Sequence, residues 1–323
     1  MLPAKDELTI CFAHVAYQMQ ERFLARATGI NSFAVRTPED LAQRIKEADV
    51  VVISGMWRND LLEKCAKLRF IQSIGAGTDQ FDRDKLKACG VRLASAQGVN
   101  VRAVSEHAMA LILAMVRRLP EARDNQAKHH WRGMISDLSQ REDELSGKTL
   151  LIIGLGGIGG RLAQLAKAFD MHIIGIRQDP SKGGGQAVDS VHKPSELKAS
   201  LPQADYVALT CPLTKETEKV IDAAALSCMK KSAYLINGAR GRCVDEDALI
   251  EALRDQKIAG AAIDVTVDEP LPAASPLWNF PNVLITPHTA GETRGYEENV
   301  IDILVENLDR LWRGEKTLRN QIV

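Results

Sequence analysis

No apolar run in the 323-residue chain is long enough to cross a bilayer. The longest, Ala108 to Val116, falls far short of the roughly 20 residues that a spanning helix needs. An excess of one charge is missing too. Lys and Arg number 41 against 42 Asp and Glu, for a formal net charge of −1, so no basic field attracts nucleic acid or an anionic membrane. The six cysteines (Cys11, Cys65, Cys89, Cys211, Cys228 and Cys243) form no CxxC pair, and the histidines show no metal-ligand spacing such as HExxH. These absences argue against a zinc site and a disulfide frame, and predict reduced, mostly structural thiols. No repeat of solenoid length and no low-complexity tract is visible. Asp6 and Glu7 stand where a signal peptide would carry its apolar stretch, so a cytoplasmic location is expected.

What is present is an average globular balance, 45% hydrophobic and 26% charged, in a chain long enough for two domains. Short β-type runs alternate with helix-type segments almost from end to end. Strands are expected near Leu8–Phe12, Asp49–Ser54 and Arg69–Ser73, with a helix from Pro38 capped by Thr37 and another helical stretch over Asn59–Lys67. A long amphipathic helix over Val101–Arg118 is expected to stop before Pro120. A second series then supplies six strands, Leu150–Ile153, His172–Ile176, Tyr206–Leu209, Ala233–Ile236, Gly260–Ile263 and Val283–Ile285. A last helix near Tyr296–Arg313 follows and is expected to return to the first domain. Such alternation predicts an α/β protein with two Rossmann- or flavodoxin-like domains and parallel sheets covered on both faces.

The second series opens on strand, GxGxxG, helix in that order. Gly154 permits a tight turn, Gly156 lets backbone N–H groups approach a pyrophosphate, and Gly159 allows close helix–strand packing. The helix N-terminus adds partial positive charge. A dinucleotide site is therefore expected. At the end of the next strand an acid would bind the ribose 2′-hydroxyl of NAD, whereas Arg177 stands there, with Lys182 close behind. A guanidinium suits a 2′-phosphate, so NADP is favoured over NAD, with Asp179 as the residue that would take a ribose instead.

Three further segments each follow a predicted strand: Asn237 to Arg242, Asp264 to Pro270, and Pro287 to Gly291. Reduction of a 2-keto acid needs a hydride and a proton for the carbonyl oxygen. His288 suits the proton step, Glu269 beside it would favour the imidazolium, and Arg240 offers a planar fork to a carboxylate and keto oxygen. With the Gly75, Ala76, Gly77 run of the first domain, these segments closely resemble the D-isomer-specific 2-hydroxyacid dehydrogenase family over nearly the whole chain. The resemblance implies the same catalytic roles for Arg240, Glu269 and His288. It further implies that the backbone at Ala76 and Gly77 holds the substrate carboxylate and that Asp264 binds the nicotinamide carboxamide. Gly157, Ile158, Cys211, Pro212, Thr217, Gly238 and Ala239 would line the cofactor, which makes Cys211 a pocket wall rather than a nucleophile.

The expected domains are 1–102 with 290–323 for substrate and 103–289 for the dinucleotide. Trp57 is a candidate cap that would keep the substrate small, such as glyoxylate or hydroxypyruvate. His107, on the long helix, is expected to be packed rather than catalytic. A homodimer is implied by the family resemblance. A formate dehydrogenase of the same superfamily would carry Gln in place of Glu269, and a phosphoglycerate dehydrogenase often has a further regulatory domain. The rival of another class is a corepressor-like binding protein on this fold that uses the cofactor to control assembly.

Overall fold

The computed structural model describes residues 2–323, with the backbone alone at residue 139. The chain divides into two compact units, Met1–Asn100 with Thr293–Val323, and Val101–Glu292.

The first unit is built on β1 (Thr9–Ala13), β2 (Asn31–Val35), β3 (Val50–Ile53), β4 (Phe70–Ser73) and β5 (Arg92–Ala94), all parallel in the order β2-β1-β3-β4-β5. Parallel neighbours need crossovers, and α1 (Met19–Leu24), α2 (Pro38–Arg44) and α3 (Arg83–Ala88) lie on them or close beside them. Strand β3, Val-Val-Val-Ile, is wholly buried because both faces of the sheet are covered. Its alternation sends Val50 and Val52 into one core, with Ile10 and Phe12, and Val51 and Ile53 into the other, with Leu41 and Trp57. Helix α2 starts as its sequence predicts: Pro38 fills the first turn and Thr37 Oγ1 accepts the Asp40 N–H at 3.1 Å.

The C-terminal helix, Tyr296–Trp312, joins the first of these cores through Val300, Ile301, Leu304 and Leu308, a stripe at helical spacing. On the same helix Asn307 is fully buried. Its amide donates to Gln72 Oε1 and to the Arg319 carbonyl, both at 3.2 Å, and its oxygen accepts the Arg319 N–H at 2.8 Å. Gln72, equally buried, donates in turn to the carbonyls of Ser73 and Ala94.

In the second unit α4 (Val101–Val116) and α5 (Leu119–Ala127) precede β6 (Thr149–Ile153), α6 (Gly157–Lys167), β7 (His172–Ile176), β8 (Ser190–His192), α7 (Leu197–Ser200), β9 (Tyr206–Leu209), α8 (Ala223–Cys228), β10 (Tyr234–Asn237), α9 (Glu246–Arg254), β11 (Gly260–Ile263) and β12 (Val283–Ile285). The seven strands are parallel in the order β12-β11-β10-β9-β6-β7-β8. The order reverses between β6 and β9, and such a switch point is where open α/β sheets bind dinucleotides. Helices α4 and α6 cover one face through Ile112, Met115, Leu162 and Ala166, packed on Leu150, Ile152 and Ile173. Leu151, Ile153, Val207 and Leu235 face the opposite core with Leu226, Leu249 and Leu253.

Two local expectations are corrected. The helical stretch expected over Asn59–Lys67 is a 3-10 helix that ends at Lys64. Helix α4 ends at Val116, Arg118 turns left-handed at φ 49°, and Pro120 then lies in the first turn of α5. The proline starts a helix, since its missing N–H costs nothing in a first turn. Three strands had no clear sequence signal: β2, β5 and β8 are edge strands, β5 only three residues long and the other two mostly half-buried, so their residues need not be continuously apolar.

Replacing Asn307 with Ala takes away the hydrogen-bond donor to the buried Gln72 oxygen and the side-chain partners of the Arg319 N–H and carbonyl. Urea titration should show a loss of about 2–4 kcal/mol; a loss below 1 kcal/mol would mean that water replaces the amide.

Candidate active site

The glycine loop follows β6 and divides by the room each residue has. Gly154 has φ 103°, and a Cβ there would lie 2.7 Å from the Cys211 backbone. A Cβ on Gly159 would lie 2.2 Å from the Gly154 carbonyl oxygen. That oxygen accepts from the Thr210 hydroxyl at 2.7 Å, so β6, β9 and α6 meet there with no space to spare. Gly156 differs. It is extended (φ −88°, ψ −158°), and a Cβ on it would meet nothing within 4 Å. It precedes the first turn of α6 and has no side chain with which to cap it. The N–H groups of that turn are left to an outside acceptor.

A cavity of about 550 Å³ opens beside this turn, walled by Gly154, Gly156, Cys211, Pro212 and Thr217 and rimmed by Arg177, Asp179 and Lys182. A hydrogen bond with the Cys243 thiol, and then burial, push the Cys211 thiol up, which makes it a poor nucleophile. Thr217 Oγ1 donates to the Pro212 carbonyl at 2.6 Å and accepts the Thr214 N–H at 2.7 Å, shaping that wall. The Arg177 guanidinium donates to the Gly183 carbonyl. Asp179 accepts the Ser181 hydroxyl at 2.5 Å and its N–H at 3.1 Å, and the hydroxyl bond chiefly holds its carboxyl below the usual range.

Beyond β10 the chain runs through Gly238 and Ala239 to Arg240. The Ala239 N–H donates to Asn237 Oδ1 at 3.1 Å, and Asn237 Nδ2 donates to the Arg240 carbonyl at 3.1 Å, which closes the turn. Gly241 follows, where a Cβ would fall 2.0 Å from the Thr266 carbonyl carbon and oxygen. This glycine lets the Arg240 turn press on the loop after β11. In that loop Glu269 Oε1 accepts the Thr266 N–H at 3.2 Å, and Oε2 lies 2.7 Å from His288 Nδ1.

His288 follows β12 with φ 56°. Its N–H donates to the Asp264 carbonyl at 2.8 Å. The hydrogen bond to Glu269 raises the His288 pKa above the ordinary imidazole value, against burial and the Arg240 charge. For Glu269 burial is the largest influence and raises its pKa, yet the His288 bond and charge, with the Thr266 N–H and Arg240, outweigh it and the net shift is downward. A carboxylate and an imidazolium at 2.7 Å, within the field of a guanidinium, can bind an anion and pass one proton.

Comparison with known proteins matches Met109–Ala290 to the model of the "D-isomer specific 2-hydroxyacid dehydrogenase, NAD binding domain". The D-3-phosphoglycerate dehydrogenase of Methanocaldococcus jannaschii is 35% identical over 86% of this chain, which spans only 52% of that relative's length. The glyoxylate/hydroxypyruvate reductase B of Serratia proteamaculans is 33% identical over 93% of this chain and 92% of its own. A D-isomer specific 2-hydroxyacid dehydrogenase family protein from Aeromonas salmonicida superposes with TM-score 0.84 at 30% identity, covering 98% of this chain and 99% of that one. The chain belongs to this family. It is an oxidoreductase that uses a nicotinamide cofactor.

The residues present fit such a dinucleotide. The open space at Gly156, the uncapped first turn of α6 and the adjoining cavity are those a pyrophosphate with its adenosine needs. Asp264 is 2% exposed, and its carboxylate accepts the Thr286 hydroxyl and the N–H groups of Thr289 and Ala290. Those bonds tie down the His288 turn, a structural task that the sequence did not signal. Thr210 and Thr286 were missed as well, because each acts through a contact distant in sequence; Asn237 was missed although its contacts, to Ala239 and Arg240, are local.

In the first unit, Ala76 and Gly77 lie in the turn after β4, with Ala76 exposed. Trp57 is 1% exposed; its indole N–H donates to Asn59 Oδ1 at 2.9 Å, and its ring packs 5.5 Å from Phe81. The expectation that Trp57 caps a substrate pocket is corrected: it is a core residue with no free surface to offer.

The two loop glycines should separate by experiment. Gly156→Ala should keep its melting temperature and lose dinucleotide affinity in calorimetry, whereas Gly159→Ala should melt lower because the clash lies in packed backbone. Equal affinity of Gly156→Ala and the parent would remove the phosphate role. For the histidine, Glu269→Gln should lower the NMR titration midpoint of His288, since the charge that stabilises the imidazolium is gone; an unmoved midpoint would mean the pair is not coupled.

Proposed function

We propose that this protein reduces a small 2-keto acid of the glyoxylate or hydroxypyruvate class to the D-2-hydroxy acid and prefers NADPH to NADH. The observation that carries the reading is the 2.7 Å His288–Glu269 pair in the field of Arg240. A bound nicotinamide supplies the hydride. Arg240 holds the substrate carboxylate and the keto oxygen with its guanidinium. His288, protonated, gives its Nε2 proton to the carbonyl oxygen as negative charge develops there, and Glu269 keeps the ring oriented and charged. In the oxidative direction neutral His288 accepts the hydroxyl proton. The name of the Serratia relative supports the substrate class.

The NADPH preference rests on Arg177 and Lys182 at the cavity rim, where a 2′-phosphate would meet two cations. Asp179 is occupied by Ser181 and less suited to take a ribose hydroxyl. A homodimer is part of the reading. Leu119, Trp131, Met134 and Leu138 are 53%, 97%, 102% and 75% exposed, all within one stretch between α4 and β6. Apolar side chains so concentrated favour burial against a second copy. All six cysteines are free, which fits a reducing cytoplasm.

Steady-state reduction of glyoxylate and hydroxypyruvate should run faster with NADPH than with NADH, and Arg177→Asp should reverse that order. Turnover that prefers NADH in the parent would overturn the role of Arg177 and leave the chemistry standing. Reduction should fall as pH rises through the His288 pKa, and oxidation should rise through the same range. In Glu269→Gln both limbs should move to lower pH. Light scattering should give twice the 35.4 kDa chain mass for the parent and one chain for Trp131→Ser with Met134→Ser; a monomeric parent would overturn the dimer.

A further inference from the structure

Behind the His288 turn, the second unit holds a chain of polar groups that the proposed reaction does not use. His107 projects from α4, and its Nε2 lies 3.0 Å from Thr286 Oγ1 and 3.5 Å from Asp264 Oδ1. Thr286 Oγ1 is 2.6 Å from that same carboxylate oxygen. Asp264 also accepts the N–H of Thr289 at 3.0 Å and of Ala290 at 3.1 Å, the two residues that follow His288. With the His288 N–H on the Asp264 carbonyl, three consecutive backbone donors of this turn end on one residue.

Counting protons fixes the direction of the chain. A threonine hydroxyl has one proton, and an ionised carboxylate can only accept. At 2.6 Å the Thr286 proton points at Asp264, so the hydroxyl oxygen must accept from His107. His107 therefore carries its proton on Nε2. A histidine fixed in this way removes the freedom of the hydroxyl to rotate away from the carboxylate.

We propose that His107 is a positioning residue for His288. As the Nε2–H tautomer it locks the Thr286 hydroxyl onto Asp264, and Asp264 holds the backbone turn that aims the His288 ring at Glu269. The role rests on the reading of His288 as the acid–base group. It is not a packing role, because the action passes through a hydrogen bond that an apolar side chain of similar size cannot make.

Two substitutions separate these cases. His107→Gln retains an N–H donor on a side chain of similar reach, and His107→Leu fills the space without one. The leucine variant should lose roughly 10- to 100-fold in kcat for keto-acid reduction, the scale expected of a slightly misplaced catalytic group, while KM for both substrates changes little. The glutamine variant should recover most of that loss. NMR titration gives a readout independent of turnover. The groups acting on His288 are Glu269, Arg240 and Asp264, and a loosened turn weakens the Glu269 bond first. The His288 midpoint should therefore fall in the leucine variant and return in the glutamine variant, and ¹⁵N shifts of His107 should report a protonated Nε2. Full kcat with an unmoved midpoint in the leucine variant would overturn the proposal, as would a His107 protonated on Nδ1 alone or equal losses in both variants. If the parent reduces no keto acid, the substrate reading fails, and the NMR midpoints still decide whether His107 positions His288.

Discussion

A carboxylate taken out of water must find partners or give up its charge, and Asp264 finds them in the segment that follows β12. It receives one hydroxyl and two backbone N–H groups, and its own carbonyl receives a third N–H from the same turn. Removing the carboxylate would orphan several donors at once, so its cost would exceed that of any single hydrogen bond. His288 stands with φ 56°, a conformation that a residue with a Cβ adopts only when its surroundings over-determine it. The ring direction that the proposed acid–base chemistry needs is thus set by a buried charge behind it.

The other half of the pair is placed by absence of bulk. Gly241 lets the turn bearing Arg240 touch the Thr266 backbone, and the Thr266 N–H in turn fixes one oxygen of Glu269. Arg240, Glu269 and His288 come from three different loops, those after β10, β11 and β12. Their juxtaposition is paid for in two currencies: a side chain that cannot exist at Gly241, and a charge that cannot be left alone at Asp264. Both constraints lie in the packed framework, which leaves the Glu269–His288 pair itself partly exposed.

Much of this was legible in the sequence, for physical reasons. Central parallel strands are buried on both faces, so Val50–Ile53 and Leu150–Ile153 announce themselves as continuous apolar runs. The edge strands β2, β5 and β8 do not, because an edge tolerates polar residues. Motif spacing located Gly154, Gly156 and Gly159; Gly154 has a positive φ, Gly159 has no room for a Cβ, and Gly156 faces open space. What the sequence could not show were contacts spanning many residues between side chains with no fixed spacing. His107 lies 179 positions before Thr286, and nothing local distinguishes it from a packed helix residue. Trp57 failed in the opposite sense: its place after a strand suggested a pocket, but a large apolar ring beside Phe81 gains more from burial than from a rim position.

The proposed adenosine end is shaped by a different kind of constraint. Arg177 and Asp179 sit two residues apart on one rim, and each is already engaged by its own loop, the arginine with the Gly183 carbonyl and the aspartate with Ser181. Neither meets a ligand without giving something up, so the proposed cofactor preference is a difference between two exchanges. Arg177 would trade a neutral carbonyl for a dianionic phosphate, a gain in charge-assisted bonding. Asp179 would trade one hydroxyl for another and gain little, while losing the bonds that shape the turn ahead of Gly183. On the proposed reading the rim favours the phosphate, because only the arginine improves its partner by changing it.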